Sequence, residues 1–150
     1  MGETGYEEFF SSVDCLAMGR KTYEVIERFG SWPYGNKPTW VCSTRGVSPM
    51  VNVNLQSTQT PEAAVAAANR LGFQHMWLVE GGVLASAFLE LSLLTRVIVV
   101  QMPVVLGDGI PLFGPLATHV AMVQEKCYLA PHGFTQLDYR IREYRTNAST

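Results

Sequence analysis

Three stretches of this 150-residue sequence carry the residue types that bind phosphate: Gly19-Arg20-Lys21-Thr22, Ser43-Thr44-Arg45 and Glu80-Gly81-Gly82. Glycine lets backbone approach a ligand closely. A helix N-terminus offers N–H groups and a partial positive charge. Arginine, lysine and hydroxyl groups add charge and donors. Each stretch follows an apolar run that reads as a strand, and the first and third precede a helix. In open α/β sheets, ligands bind outside the carboxyl ends of parallel strands, so three such turns can line one groove for a dinucleotide's phosphates. Singly each is a weak signal. The first tetrad is not a P-loop, because Asp14 stands where that motif has its first glycine. Gly107-Asp108-Gly109 runs on to Leu112, so the six-residue dinucleotide fingerprint fails there.

Other chemistry is sparse. His75, His119 and His132 are scattered without metal-ligand spacing; His75 reads as a packed strand residue and His132 as a turn residue. No nucleophile-elbow serine pattern occurs. Cys15, Cys42 and Cys127 form neither a disulfide framework nor a metal cluster, and read as buried thiols. Trp32, Trp40 and Trp77 read as core rather than as a ligand box.

Alternating helices and strands would position the turns. A short helix spans Gly5 to Ser11, then a strand runs from Val13 to Met18 and ends at Gly19. A helix starts at Thr22 and stops at Gly30. Pro38 to Cys42 is a second strand, and Val51 to Leu55 a third extended piece. Thr60-Pro61-Glu62 is a helix start, with a capping hydroxyl, Pro at the first position and an acid in the first turn. His75 to Val79 is apolar enough for a strand buried on both faces. A helix from Val83 to Leu91 follows, then the β-branched strand Arg96 to Met102. Val120 to Ala130 and Phe134 to Tyr144 read as a hairpin joined at Pro131-His132-Gly133. The expected fold class is therefore α/β: a mixed, mostly parallel sheet with helices on both faces and a C-terminal antiparallel hairpin.

The length fits one domain over residues 1–150. With 47% hydrophobic and 16% charged residues, the chain is too apolar for disorder and too interrupted by charge for a membrane span. A net charge of −2 without a basic stripe argues against nucleic acid. No leader pattern stands at the start, so a cytoplasmic location is expected. Asn147-Ala148-Ser149 fits a glycosylation pattern, which carries no weight without secretion.

The order of motifs resembles the dihydrofolate reductase superfamily. They are Met18 to Glu24, Ser43-Thr44-Arg45, Glu80-Gly81-Gly82 before a helix, and Pro103 to Phe113. The resemblance runs from about Tyr6 to Tyr144. It is nearest the branch containing the C-terminal reductase domain of riboflavin-biosynthesis deaminase-reductases and its stand-alone relatives. It implies NADP(H) as cofactor. Gly19, Arg20, Lys21 and Thr22 would hold the pyrophosphate and ribose side. Ser43, Thr44 and Arg45 would meet the 2′-phosphate. Glu80, Gly81, Gly82, Val83 and Leu84 form the second pyrophosphate turn, and Leu106 and Gly107 sit toward the substrate. It implies hydride transfer to a pterin-like or pyrimidine-like small molecule.

Two departures accompany the match. Leu94-Thr95-Arg96 stands where relatives carry an acidic pair. The family's first strand, central in its sheet, and the loop that carries its polar catalytic residue have no counterpart in these residues, so the catalytic residue is unassigned. The strands around residues 75–79 and 96–102 would then pair directly, accept a strand from a partner chain, or belong to a chain starting further upstream. A homodimer is the expected compensation. The alternatives to a working reductase are a nucleotide-binding domain that turns nothing over and an assembly module that binds no nucleotide.

Overall fold

The computed structural model describes residues 5–79 and 82–142. Among these described residues the strands and α-helices follow in the order α1 (Tyr6–Ser12), β1 (Cys15–Gly19), α2 (Arg20–Arg28), β2 (Thr39–Cys42), β3 (Leu55–Thr58), α3 (Pro61–Arg70), β4 (Met76–Leu78), α4 (Gly82–Glu90), β5 (Arg96–Gln101), β6 (Met122–Leu129) and β7 (Thr135–Ile141). The α/β class matches the sequence reading, but the strands divide between two sheets. One is parallel, in the order β3-β2-β1-β4; the other is antiparallel, in the order β5-β7-β6. β4 and β5 do not pair, so direct pairing of these two strands is not the arrangement adopted.

Alternation along β1 builds the core on both faces of the parallel sheet. Leu16 and Met18 pack with Val41, Leu55 and Tyr23 of α2. Cys15 joins the opposite cluster, with Trp40 and the α3 residues Ala64 and Ala68. Trp40 is fully buried, and Trp32 and Trp77 pack against the first cluster, so all three tryptophans serve the core. A third cluster, Leu89, Val97 and Ile141, fastens α4 to the antiparallel sheet.

Local chemistry sets most boundaries. The Thr60 hydroxyl accepts the Ala63 N–H at 3.2 Å and Pro61 opens α3, as the sequence predicts. Gly30 lies in the left-handed region just past α2, which suits glycine. Two boundaries differ from expectation. α2 starts at Arg20, two residues early, because Gly19 is already extended and takes the cap position. The third strand is Leu55–Thr58 rather than 51–55, because Asn52 has a φ of 60° and turns the chain before pairing begins. Tyr144, the expected end of the last strand, lies outside the described residues. No described helix is long and apolar enough to cross a membrane.

Candidate functional site

β1 and β2 are parallel neighbours in the register Gly19↔Cys42. The turns after them therefore leave the sheet side by side, at the same end. β4 is parallel to β1 on its other side, with Leu78 beside Ala17. The chain leaving β4 toward α4 thus emerges at that end as well. Packing draws the two helix starts together: a Cβ on Gly19 would sit 3.9 Å from Leu84 Cδ2. The structure thereby brings Gly19 to Thr22, Ser43 to Arg45, and Gly82 to Leu84 to one edge, in the strand order β2-β1-β4. Glu80 and Gly81, also expected there, lie outside the described residues.

Arg20, Lys21 and Thr22 form the first turn of α2 rather than a loop. Gly19 at the N-cap supplies no side-chain cap hydrogen bond, which leaves the first-turn N–H groups to other partners. Arg20 Nη1 donates to Glu24 Oε1 at 2.9 Å, one helical turn on. Lys21 is exposed. After β2, buried Ser43 fixes its turn by accepting the Arg45 N–H on Oγ at 3.3 Å, while Thr44 and Arg45 are exposed. Arg20 and Arg45 meet in one open cleft of about 440 Å³, bordered also by Glu24, Glu27, Gly46 and Ser48. The sequence reading quoted Glu24 within its first motif but assigned neither glutamate to the site. Their signal was the i, i+4 spacing of Arg20 and Glu24, which pairs side chains once residue 20 is helical.

The helix α4 begins at Gly82, and the loop after β5 folds over this start. Gly114 N–H donates to the Gly82 carbonyl at 2.9 Å. A Cβ on Gly82 would stand 2.8 Å from the Pro111 carbonyl oxygen, so only glycine fits. Val83 is exposed at 82% and Leu84 half-buried. Gly107, with φ of 78°, shapes the exposed turn of the same loop and is not among the residues that border the arginine cleft.

Other candidates resolve as structure. His75 is exposed rather than packed, and its backbone N–H donates to Asp14 Oδ2 at 2.9 Å. That bond, with one from the Gln74 N–H, holds the Asp14 carboxyl below its usual range. His132 sits in the turn before β7 as expected. Cys15 is buried, and its thiol is pushed up to about 11 by desolvation. Cys127, in contrast, is exposed, on β6, one of the two outer strands of the antiparallel sheet. Among the described residues no group of histidines, cysteines and acids could hold a metal. Arg96, at the position where an acidic pair was noted as missing, makes a bidentate ion pair with buried Asp138. Its two hydrogen bonds hold the Asp138 carboxyl below the usual carboxylate range.

Comparison with models of known protein families gives no match. The chain is 31% identical over 125 residues to the uncharacterized protein YwjB of Bacillus subtilis, covering 81% of this chain and 70% of that one. Among solved structures it is similar to a Shewanella sp. PV-4 protein provisionally named for riboflavin biosynthesis. That likeness has a TM-score of 0.79 at 29% identity and spans 93% of this chain and 80% of the other. A pyrimidine reductase-like protein of Corynebacterium diphtheriae gives a TM-score of 0.65 at 13% identity, over 88% and 77% of the two chains. RibD of Acinetobacter baumannii gives 0.71 at 12% identity, over 95% of this chain and 51% of RibD. The last two show the fold alone.

Proposed function

We propose that this chain, a member of the dihydrofolate reductase-like superfamily related to YwjB and to the Shewanella protein named for riboflavin biosynthesis, is an NADPH-dependent reductase of a pterin-like or pyrimidine-like small molecule. The observation that carries this reading is the meeting of Arg20 and Arg45 in one cleft beside the uncapped start of α2. The donor set fits a phosphorylated dinucleotide. α2 N–H groups suit the pyrophosphate. The Arg45 guanidinium, with Thr44 and Ser43 beside it, suits a 2′-phosphate, which NADPH has and NADH lacks. When bound, the reduced nicotinamide supplies a hydride to a C=N or C=O of the substrate. The chain's own part is to fix the adenosine end and to place the α4 start and the loop after β5 at the same sheet edge. Gly107 stands in that loop. Action in the cytoplasm and as a homodimer belongs to the same proposal.

A second reading, a nucleotide-binding domain without turnover, draws on one observation. The groups that meet in the cleft, Arg20 and Arg45, would serve phosphate binding and not proton transfer. The deciding experiment follows the absorbance of NADPH against a panel of pterins and amino-pyrimidines. Substrate-dependent oxidation supports the reductase. Saturable NADPH binding with no oxidation of any panel member favours the second reading.

A further inference from the structure

The segment after β2 that carries Arg45 is anchored on two sides. Toward its own sheet, Ser57 Oγ of β3 accepts the Val47 N–H at 3.0 Å. Toward α2, the Ser48 carbonyl accepts the Tyr23 hydroxyl at 2.7 Å. The second bond joins two walls of the arginine cleft. Tyr23 and Arg20 border it from α2, and Ser48 and Arg45 from the segment after β2. Tyr23 stands three residues after Arg20, on the same face of the helix. It is 1% exposed, and its ring packs with Leu16, Met18 and Val41. Trp32 lies edge-on to that ring, 6.4 Å between centroids. A ring so enclosed has no room to change rotamer, so its hydroxyl is a fixed point on α2. A buried phenol oxygen also needs a partner, and here the partner is backbone of the opposite wall. Gly46 turns that wall with a φ of 69°, a bend that glycine takes without strain. Arg45 sits immediately before the bend, so the hold on residues 47 and 48 sets its direction.

We propose, resting on the reading of the cleft as a cofactor site, that Tyr23 is a positioning residue for cofactor choice: through Ser48 it sets the span between the start of α2 and Arg45. Its hydroxyl is committed to the Ser48 carbonyl and acts on the ligand through Arg45. A ligand that places a pyrophosphate on the helix start and a 2′-phosphate on Arg45 bridges both walls, so its affinity depends on their separation. A ligand without the 2′-phosphate uses the helix start and is indifferent to that separation. NADPH is of the first kind and NADH of the second. A span fixed in advance also spares binding the cost of ordering the segment. Packing alone would not discriminate in this way: a Tyr23 that served only the core would weaken both cofactors alike when altered.

The test is a double-mutant cycle in the full chain, read by titration with NADPH and with NADH. Tyr23→Phe removes one oxygen and keeps the buried ring, so the core stays filled. NADPH affinity is expected to fall about three- to tenfold, the range that loss of one hydrogen bond gives, while NADH affinity stays unchanged. In an Arg45→Ala chain, Tyr23→Phe should weaken NADPH no further, because the wall it positions no longer carries the guanidinium. Amide exchange at Val47 and Ser48 should quicken in Tyr23→Phe, with the amides of β1 as in the parent chain. Three results would overturn the proposal: an unchanged preference for NADPH over NADH, an equal loss for both cofactors, or the same loss with and without Arg45. Each of them leaves the cofactor reading standing. A parent chain that binds neither cofactor overturns that reading, and the role of Tyr23 with it.

Discussion

Arg45→Ala tests the cleft most specifically. Arg45 stands after β2 on a turn held by Ser43 and is exposed, so its removal leaves the core untouched. A hydrogen bond to a charged group contributes about 1.5–3 kcal/mol. Solvent screening in an open cleft places this contact at the low end. About 1.5 kcal/mol corresponds to roughly tenfold in affinity. Calorimetric titration should therefore show NADPH binding about tenfold weaker in the variant, with NADH binding unchanged. Arg45→Lys should recover part of the loss, since it keeps the charge but not the planar fork. The difference between NADPH and NADH should shrink at high salt. Unchanged NADPH affinity would refute the role assigned to Arg45. An equal loss for both cofactors would show that Arg45 touches something other than the 2′-phosphate.

Glu24→Gln should act in the opposite direction, because it releases Arg20 and removes a negative charge from the same cleft. The expected gain in NADPH affinity is about two- to fivefold by titration, consistent with the small worth of exposed ion pairs. Asp138→Asn should cost about 1–3 kcal/mol in denaturant unfolding, less than a fully buried pair because Arg96 is 53% exposed and can rehydrate. The folded carboxyl of Asp138 is held below its unfolded value of about 3.9, so its stabilisation is present above that pH and lost as pH falls through the folded value. Stability curves of the variant should be flatter than those of the parent chain below about pH 4. Gly82→Ala should cost about 1–3 kcal/mol by thermal melting, because the added Cβ meets the Pro111 carbonyl and must push the loop from the start of α4.

How far the sequence determined these features depends on the range of the interactions. The start of α3 was legible because Thr60, Pro61 and Glu62 act within one turn. The hairpin β6–β7 was legible from alternation in Leu137 to Arg142 and the turn at Pro131. The grouping of the glycine and arginine turns at one sheet edge followed from strand-then-helix order alone. Tertiary pairing was less legible. The ion pair of Arg96 and Asp138 joins strands 42 residues apart and depends on the β5–β7 register. The third strand was misplaced because Val51 and Val53 look extended, while the polar segment Gln56-Ser57-Thr58 does the pairing with β2. The exposure of Cys127 and His75 follows from which strand and turn lie outermost, and residue type carries no information about that.

Titration of the purified chain with NADPH, with NADH as control, tests the central claim most directly. Calorimetry or quenching of Trp32, Trp40 and Trp77 can follow it. The arginine cleft predicts saturable NADPH binding that exceeds NADH binding by about tenfold. No binding of either cofactor at about millimolar concentration, far weaker than a working cofactor site, would contradict it.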